Sequence, residues 1–230
     1  MAIQAWRIAS LTLGVGSLPA AFALFREQLG LVVDSPGSEE LEAFDPAAGA
    51  SSQPRRGVLV HRDSNWGRCT LELRQWPQAT EAPAPTLPWH NGISRLAIKV
   101  PDVDTLREKL MSAGVRCFAG PLTGAVSGER FCCCETDAGA MLQIVQQGGP
   151  AGLHYININC TDLLSTSRWY QRQLGFEAES DIWDETFPGE AFGAAGVVHA
   201  RSQRLTLRDR ETDCIIQLQQ WLEPAGIAGH

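Results

Sequence analysis

Several short runs of this chain carry chemically capable side chains at every second residue. Thr70, Glu72, Arg74 and Trp76 form one row, Arg95, Ala97 and Lys99 another, and Tyr155, Asn157 and Asn159 a third. Ile215, Gln217, Gln219 and Trp221 form a fourth, and Ser10, Thr12 and Gly14 a sparser fifth. Spacing of two puts each row on one face of a β-strand. The alternating residues, such as Leu96, Ile98 and Val100 or Ile156, Ile158 and Cys160, are apolar and suit a face packed against a helix. Three side chains are catalytic candidates. A carboxylate at Glu72 would serve as general base or hydrogen-bond acceptor, and a guanidinium at Arg95 would clamp a carboxylate or enolate oxygen. The phenol of Tyr155 would donate a proton. Each has a plainer reading: Arg95 and Glu72 as an internal ion pair, Tyr155 as a space-filler, the polar rows as solvated sheet faces. A polar surface rimmed with tryptophan suits a small polar or aromatic ligand. Ser10, Thr12, Arg74, Trp76, Lys99, Asn157, Asn159, Gln217 and Trp221 are its candidate contacts.

These rows belong to a chain that repeats itself at an offset of 145 residues. Leu29-Gly30 recurs as Leu174-Gly175, Cys69 as Cys214 and Trp76 as Trp221. A repeat this long marks duplicated structural units. The first, residues 1–77, predicts a strand from Ile8 to Val15, a helix from Pro19 to Leu29 stopped at Gly30, and strands at Leu31–Asp34, Gly57–His61 and Cys69–Trp76. A Pro/Ala-rich linker (78–90) leads to a second unit, 91–147. It predicts strands at Ser94–Val100, Arg116–Ala119, Glu129–Glu135 and Ala140–Gln146, with a helix at Val103–Ala113 between Asp102 as N-cap and Gly114 as C-cap. After a short Gly-Gly-Pro hinge, residues 151–222 repeat the first unit, with a helix near Leu164–Leu174 and a last strand at Cys214–Trp221. Residues 223–230 form a tail. By the offset, His230 corresponds to position 85, inside the linker, so no fourth unit is expected. The order β-α-β-β-β recurs three times, an α+β chain.

Composition excludes several classes. Of 230 residues, 44% are hydrophobic and 20% charged, as in a globular protein with a full core. No apolar run reaches membrane-spanning length, and the amino terminus lacks the apolar stretch of a signal peptide, so neither membrane nor secretion is expected and a cytoplasmic location follows. A net charge of −7 without a Lys/Arg cluster argues against nucleic acid. Seven cysteines without a CxxC pair argue against structural zinc. Cys132, Cys133 and Cys134 fit a buried strand better than a reactive thiol at Cys133. The acidic, aromatic stretch Asp181–Phe187 reads as a lid or as a solvated turn. Among the histidines, His154 points away from the polar row by alternation unless a one-residue bulge reverses it. His61, His90, His199 and His230 have no convincing partner spacing.

The stretch from His154 to Leu163 (HYININCTDL), followed by Trp169-Tyr170 and Leu174-Gly175-Phe176, resembles the vicinal oxygen chelate superfamily. This group includes glyoxalase I, extradiol dioxygenases and bleomycin-resistance-type binding proteins. Asp137-Ala138-Gly139-Ala140-Met141-Leu142-Gln143-Ile144 is similar to its Asp-x-x-Gly strand ending. The resemblance implies repeated βαβββ modules, three here, paired into open eight-stranded cup-like barrels whose polar face binds the ligand. It also implies a divalent metal such as Fe, Mn, Zn or Ni, held by first-strand and last-strand residues. The matching first-strand positions carry Ser10, Arg95 and Tyr155, and the last-strand positions carry Glu72, Gln143 and Gln217. Only Glu72 is an ordinary ligand, and an arginine cannot ligate, so no metal or other cofactor is expected and Gln143 joins the ligand-binding set.

Three functions remain in view. One is a metal-independent tailoring enzyme of secondary metabolism, an isomerase, cyclase or lyase acting on a small organic molecule. Another is an antibiotic-binding protein of the bleomycin-resistance type. The last is a divalent-metal dioxygenase or glyoxalase-like lyase. Modules one and two are expected to pair within the chain. Module three, lacking an intrachain partner, is expected to pair with its copy in a homodimer.

Overall fold

The computed structural model describes residue 8 and residues 10–33, 55–60, 70–75, 89–136, 141–208 and 213–223. The first segment contains β1 (Ser10–Gly14), α1 (Leu18–Phe22) running on as a π-helical stretch (Ala23–Gln28), β2 (Val32–Val33), β3 (Arg55–Val60) and β4 (Thr70–Gln75). The middle segment contains β5 (Gly92–Val100), α2 (Val103–Ser112), β6 (Arg116–Cys117), β7 (Leu122–Thr123), β8 (Arg130–Glu135) and β9 (Met141–Gln146). The last segment contains β10 (Gly152–Asn159) and α3 (Leu163–Trp169) with its own π-helical continuation (Tyr170–Leu174). It goes on through β11 (Glu177–Ala178), β12 (Trp183–Pro188), a 3-10 turn (Gly189–Phe192), β13 (Val197–Arg208) and β14 (Asp213–Glu223).

The helix starts follow from short side chains that satisfy otherwise unpaired backbone donors. Asp102 Oδ1 accepts from Thr105 N at 3.0 Å, and Asp162 Oδ1 accepts from Ser165 N at 3.0 Å. In α2, Val103, Leu106 and Leu110 recur on one face and are buried. The last-segment helix ends at Gly175, whose φ of 78° is the left-handed conformation that glycine adopts without steric cost.

The described strands form two sheets in a mixed α+β chain, and neither closes on itself. Four strands make one, in the order β1-β4-β3-β2. Ten lie in the other, with β11-β13-β14-β10-β5-β9-β8-β6 as its path, β12 added on β13 and β7 on β8. In each segment the first strand pairs in parallel with the last: β1 with β4, β5 with β9, β10 with β14. The 145-residue offset extends to this register, with Leu13 opposite Leu73 and Ile158 opposite Leu218.

The pairing of segments corrects the sequence reading. The middle segment joins the last, not the first, through antiparallel β5 and β10, with Arg95 opposite Asn157 and Ala97 opposite Tyr155. Only residues 147–151 separate β9 from β10, and a link that short keeps consecutive elements adjacent. Module three, expected to lack an intrachain partner, thus has one in the middle segment. It is the first segment whose sheet stands apart.

One face of the ten-stranded sheet lies under α2 and α3 and shares a continuous core with the first segment. Ile98, Ile144, Ile156 and Leu218 meet Phe25, Leu71 and Leu73 there. The opposite face gathers Phe131, Tyr155, Phe187, Phe192 and Trp221. All three cysteines of β8 are buried, Cys132 and Cys134 on the helix side and Cys133 on the other. Among the described residues no helix is long and apolar enough to cross a membrane.

Candidate functional site

The face of the ten-stranded sheet turned away from the helices holds a narrow cleft bordered by Arg95, Glu129, Gln143, Glu185, Arg204 and Gln217, with Phe131, Phe187, Phe192 and Trp183 around them. Its floor is a cross-strand row fixed by register: Met141 on β9, Arg95 on β5, Asn157 on β10, Gln217 on β14 and Arg204 on β13. A neighbouring row runs through Gln143, Ala97, Tyr155 and Ile215.

Arg95 is only 2% exposed. Its Nε donates to Gln143 Oε1 at 3.1 Å, and its Nη2 donates to Asn157 Oδ1 at 3.2 Å and to Gln219 Oε1. The guanidinium lies 5.3 Å from the Phe192 ring centroid and 5.7 Å from that of Trp221. Burial lowers its pKa below the usual arginine value, opposed by Cys133 and Tyr155. None of its described partners is a carboxylate.

Tyr155 is fully buried beside it. Its hydroxyl donates to Glu129 Oε2 at 3.1 Å and accepts from Gln143 Nε2 at 3.0 Å. Burial, reinforced by the Glu129 charge, pushes the phenol well above its ordinary value and keeps it protonated. Glu129 also accepts from Arg204 Nη2 at 2.5 Å and stands 3.3 Å from His154 Nε2. Burial acts to raise the Glu129 pKa, but His154 and Arg204 outweigh it and hold the carboxyl below the usual range. Arg204 stacks 4.7 Å over the Tyr155 ring and bonds Gln217 Oε1 at 3.2 Å. Glu185 pins the rim: Oε1 accepts from Val126 N at 2.8 Å and Oε2 from Trp183 Nε1 at 3.3 Å. A side chain at Gly124 would crowd that contact, its Cβ falling 2.6 Å from Glu185 Oε1.

The structure thus brings together Arg95, Tyr155, Gln143, Asn157, Gln217 and Trp221. Asn159 is buried on the same strand, donating to the His90 carbonyl at 2.8 Å and accepting from Ser94 Oγ at 3.1 Å. Lys99 is buried on β5 but does not border the cleft. Glu72 is not part of this group. It lies on β4 in the other sheet and accepts from Arg74 Nε at 2.8 Å, so the expected Glu72–Arg95 pair does not form. Ser10 and Thr12 are exposed on β1. Trp76 and the stretch 137–140 lie outside the described residues, as do His61 and His230.

Sequence reasoning missed Glu129 and Arg204, which lie in or beside strands of unremarkable pattern. For His154 the bulge alternative holds. Leu153 stands opposite Ile98 and Tyr155 opposite Ala97, leaving His154 unpaired in the ladder, and His154 and Tyr155 reach the same carboxylate. The aromatic stretch around Trp183 is a strand, β12, not a loop, and His199 lies in β13. Cys133 is no reactive thiol, since burial pushes its pKa up to about 12. A larger groove between the first helix and the middle segment, bordered by Ala20, Leu24, Val115 and Glu135, brings no comparable set of ionisable groups together.

Solved structures share this architecture. Glyoxalase I from Zea mays superposes with a TM-score of 0.64 at 16% identity, covering 96% of this chain and 69% of that one. A single-residue variant of the same enzyme gives a TM-score of 0.65 at 15% identity, with the same coverage. A candidate dioxygenase from Bacillus subtilis gives 0.56 at 14%, covering 99% and 69%. No protein-family model and no curated protein matches the sequence. The likeness to these solved structures is one of fold.

The resemblance read in the sequence implies a divalent metal, and the residues at the matching positions in the cleft are not ordinary ligands for one. The cleft offers Arg95, Tyr155, Gln143 and Gln217 at the matching positions: a permanent cation, a phenol held protonated and two neutral amides. Among the described residues no three of His, Cys, Asp and Glu come together around a common point.

Proposed function

We propose that this protein is a metal-independent enzyme that moves a proton on a small organic molecule bound between the middle and last segments. It would be an isomerase, cyclase or lyase of the kind that tailors secondary metabolites. The carrying observation is the Tyr155–Glu129–His154–Arg204 cluster beside Arg95, in a cleft lined by aromatic rings. Glu129, held ionised, accepts the proton of an acidic C–H or O–H. A carboxylate with a depressed pKa is a weak base, so the charge left on the substrate must be stabilised. Arg95 supplies that stabilisation at a developing oxyanion, in surroundings that exclude water. Tyr155, hydrogen-bonded to Glu129 and Gln143, fixes where the carboxylate points. Glu72 has no part in this reading.

The test is solvent deuterium exchange, followed by NMR over a panel of small carbonyl and carboxylate compounds with acidic C–H bonds. Exchange should persist in chelator and fall by roughly 100-fold or more in Glu129→Gln, the range typical of general-base loss. Exchange that needs added metal, or that is unchanged in Glu129→Gln, would defeat the proposal. Saturable binding without exchange would favour a sequestering protein.

A further inference from the structure

We infer that the ligand of this cleft carries a single carboxylate, seated on Nη1 of Arg95 and the indole N–H of Trp221. This rests on the reading that the cleft is the functional site, and it adds the chemical class of what enters. Both atoms are buried and neither has a hydrogen-bond partner. Both are donors, and an indole nitrogen can only donate. Buried donors left unpaired are costly, and these two belong to neighbouring side chains, the Arg95 guanidinium lying 5.7 Å from the Trp221 ring centroid, so an acceptor with two oxygens would answer both.

Charge points the same way. Arg95 has its other donors on the neutral amides of Gln143, Asn157 and Gln219, so its positive charge has no counter-charge among the described residues. A buried cation is stable in a fold only when something pairs with it. The two nearby carboxylates are engaged elsewhere, Glu129 by Arg204 and His154, Glu185 by Val126, Ser127 and Trp183. One negative charge completes the balance. A phosphate dianion would set a second charge against Glu129 and Glu185, with Arg204 already neutralised, so a monocarboxylate fits and a phosphate does not. The rest of the ligand meets Phe131, Phe187 and Phe192, whose rings stand 5.5–6.0 Å apart, and should be apolar and planar. The cleft is narrow, so entry of such a body requires the rings that border it to shift.

Benzoate, benzamide and inorganic phosphate are the probes, titrated by ligand-observed NMR. Benzoate should bind more tightly than its neutral isostere benzamide by roughly 10- to 100-fold, the value of a charge-assisted contact, and phosphate should not compete. In Arg95→Gln that preference should vanish, both probes then binding alike, and an unchanged far-ultraviolet circular dichroism spectrum shows that the variant is folded. Trp221→Phe keeps the ring, loses the donor and should weaken benzoate binding about tenfold. Equal affinity for benzoate and benzamide, benzoate preference surviving in Arg95→Gln, effective competition by phosphate, or absence of saturable benzoate binding would each overturn the inference. The two proposals fail separately. Arg95-dependent benzoate preference with exchange untouched in Glu129→Gln removes the proton-transfer function alone. Glu129-dependent exchange without carboxylate preference removes only the ligand class.

Discussion

The four-stranded and ten-stranded sheets are built on the same ladder yet settle their charges differently. On β4, Glu72 and Arg74 neutralise one another two residues apart on a single strand. The positions 145 residues later on β14 carry Gln217 and Gln219, two amides. Those amides accept from Arg204 and Arg95, which arrive from β13 and β5. The local ion pair is thus replaced by cations brought in from other strands. One of them is matched by Glu129, and the other is left for a ligand. A shared register fixes where side chains stand, while identities two residues apart decide whether a sheet face is self-contained or receptive.

The largest effects should test whether the two sheets are as equivalent in their cores as in their register. Leu73 and Leu218 are offset partners with no exposed surface. Truncating either to alanine should cost about 2–5 kcal/mol in denaturant unfolding, the range for a fully buried leucine. A much smaller loss at Leu73 would show that the first sheet is weakly coupled to the common core.

Glu129→Gln should cost about 1–3 kcal/mol, since it leaves Arg204 in a largely buried site without its carboxylate. Because folding holds the Glu129 carboxyl below its ordinary value, the native state binds fewer protons there than the unfolded chain. Its stabilisation is complete above the ordinary pKa of about 4.3 and is lost as pH falls through the lower folded value. Thermal unfolding of the native protein should therefore soften on acidification through that window. The Glu129→Gln protein should show a shallower dependence, and parallel curves would break the contrast drawn between the clusters.

The smallest effect is spectroscopic. The chain has two tyrosines, Tyr155 in the cleft and Tyr170 on the last helix, and burial raises both pKa values. Absorbance at tyrosinate wavelengths should stay low in the native protein at about pH 10, where free tyrosine is half ionised, and should rise on unfolding. Half-titration at that pH without unfolding in a Tyr170→Phe background would place Tyr155 in contact with solvent and dissolve the cluster.

Much of the fold was legible because local rules wrote it. Asp102 and Gly114 bracket α2 as capping residues should, and apolar alternation located β5 and β9 closely. The strand β13 was not, since Ser202, Gln203 and Thr206 are buried polar residues that interrupt its alternation. Of the site, Arg95, Tyr155 and Gln217 could be read because strand period places them, and Gln143 because the family resemblance marks its position. Glu129 could not, because its meeting with Tyr155 depends on which segments share a sheet. Choosing the wrong pair of segments also put Glu72 beside Arg95, an error of topology and not of chemistry.

The bulge at His154 has a consequence of its own. On a regular strand, side chains that share a face are two residues, or roughly 6.6–6.8 Å, apart. Slipping one extra residue into β10 brings the rings of His154 and Tyr155 to 4.6 Å, so that consecutive residues grip the two oxygens of Glu129. Without His154 this stretch of the ladder would be unbroken, with Leu153 facing Ile98 and Tyr155 facing Ala97 as they already do. In the grammar of the strand, the imidazole is an insertion and not a substitution, a letter added to a word whose spelling is otherwise unchanged.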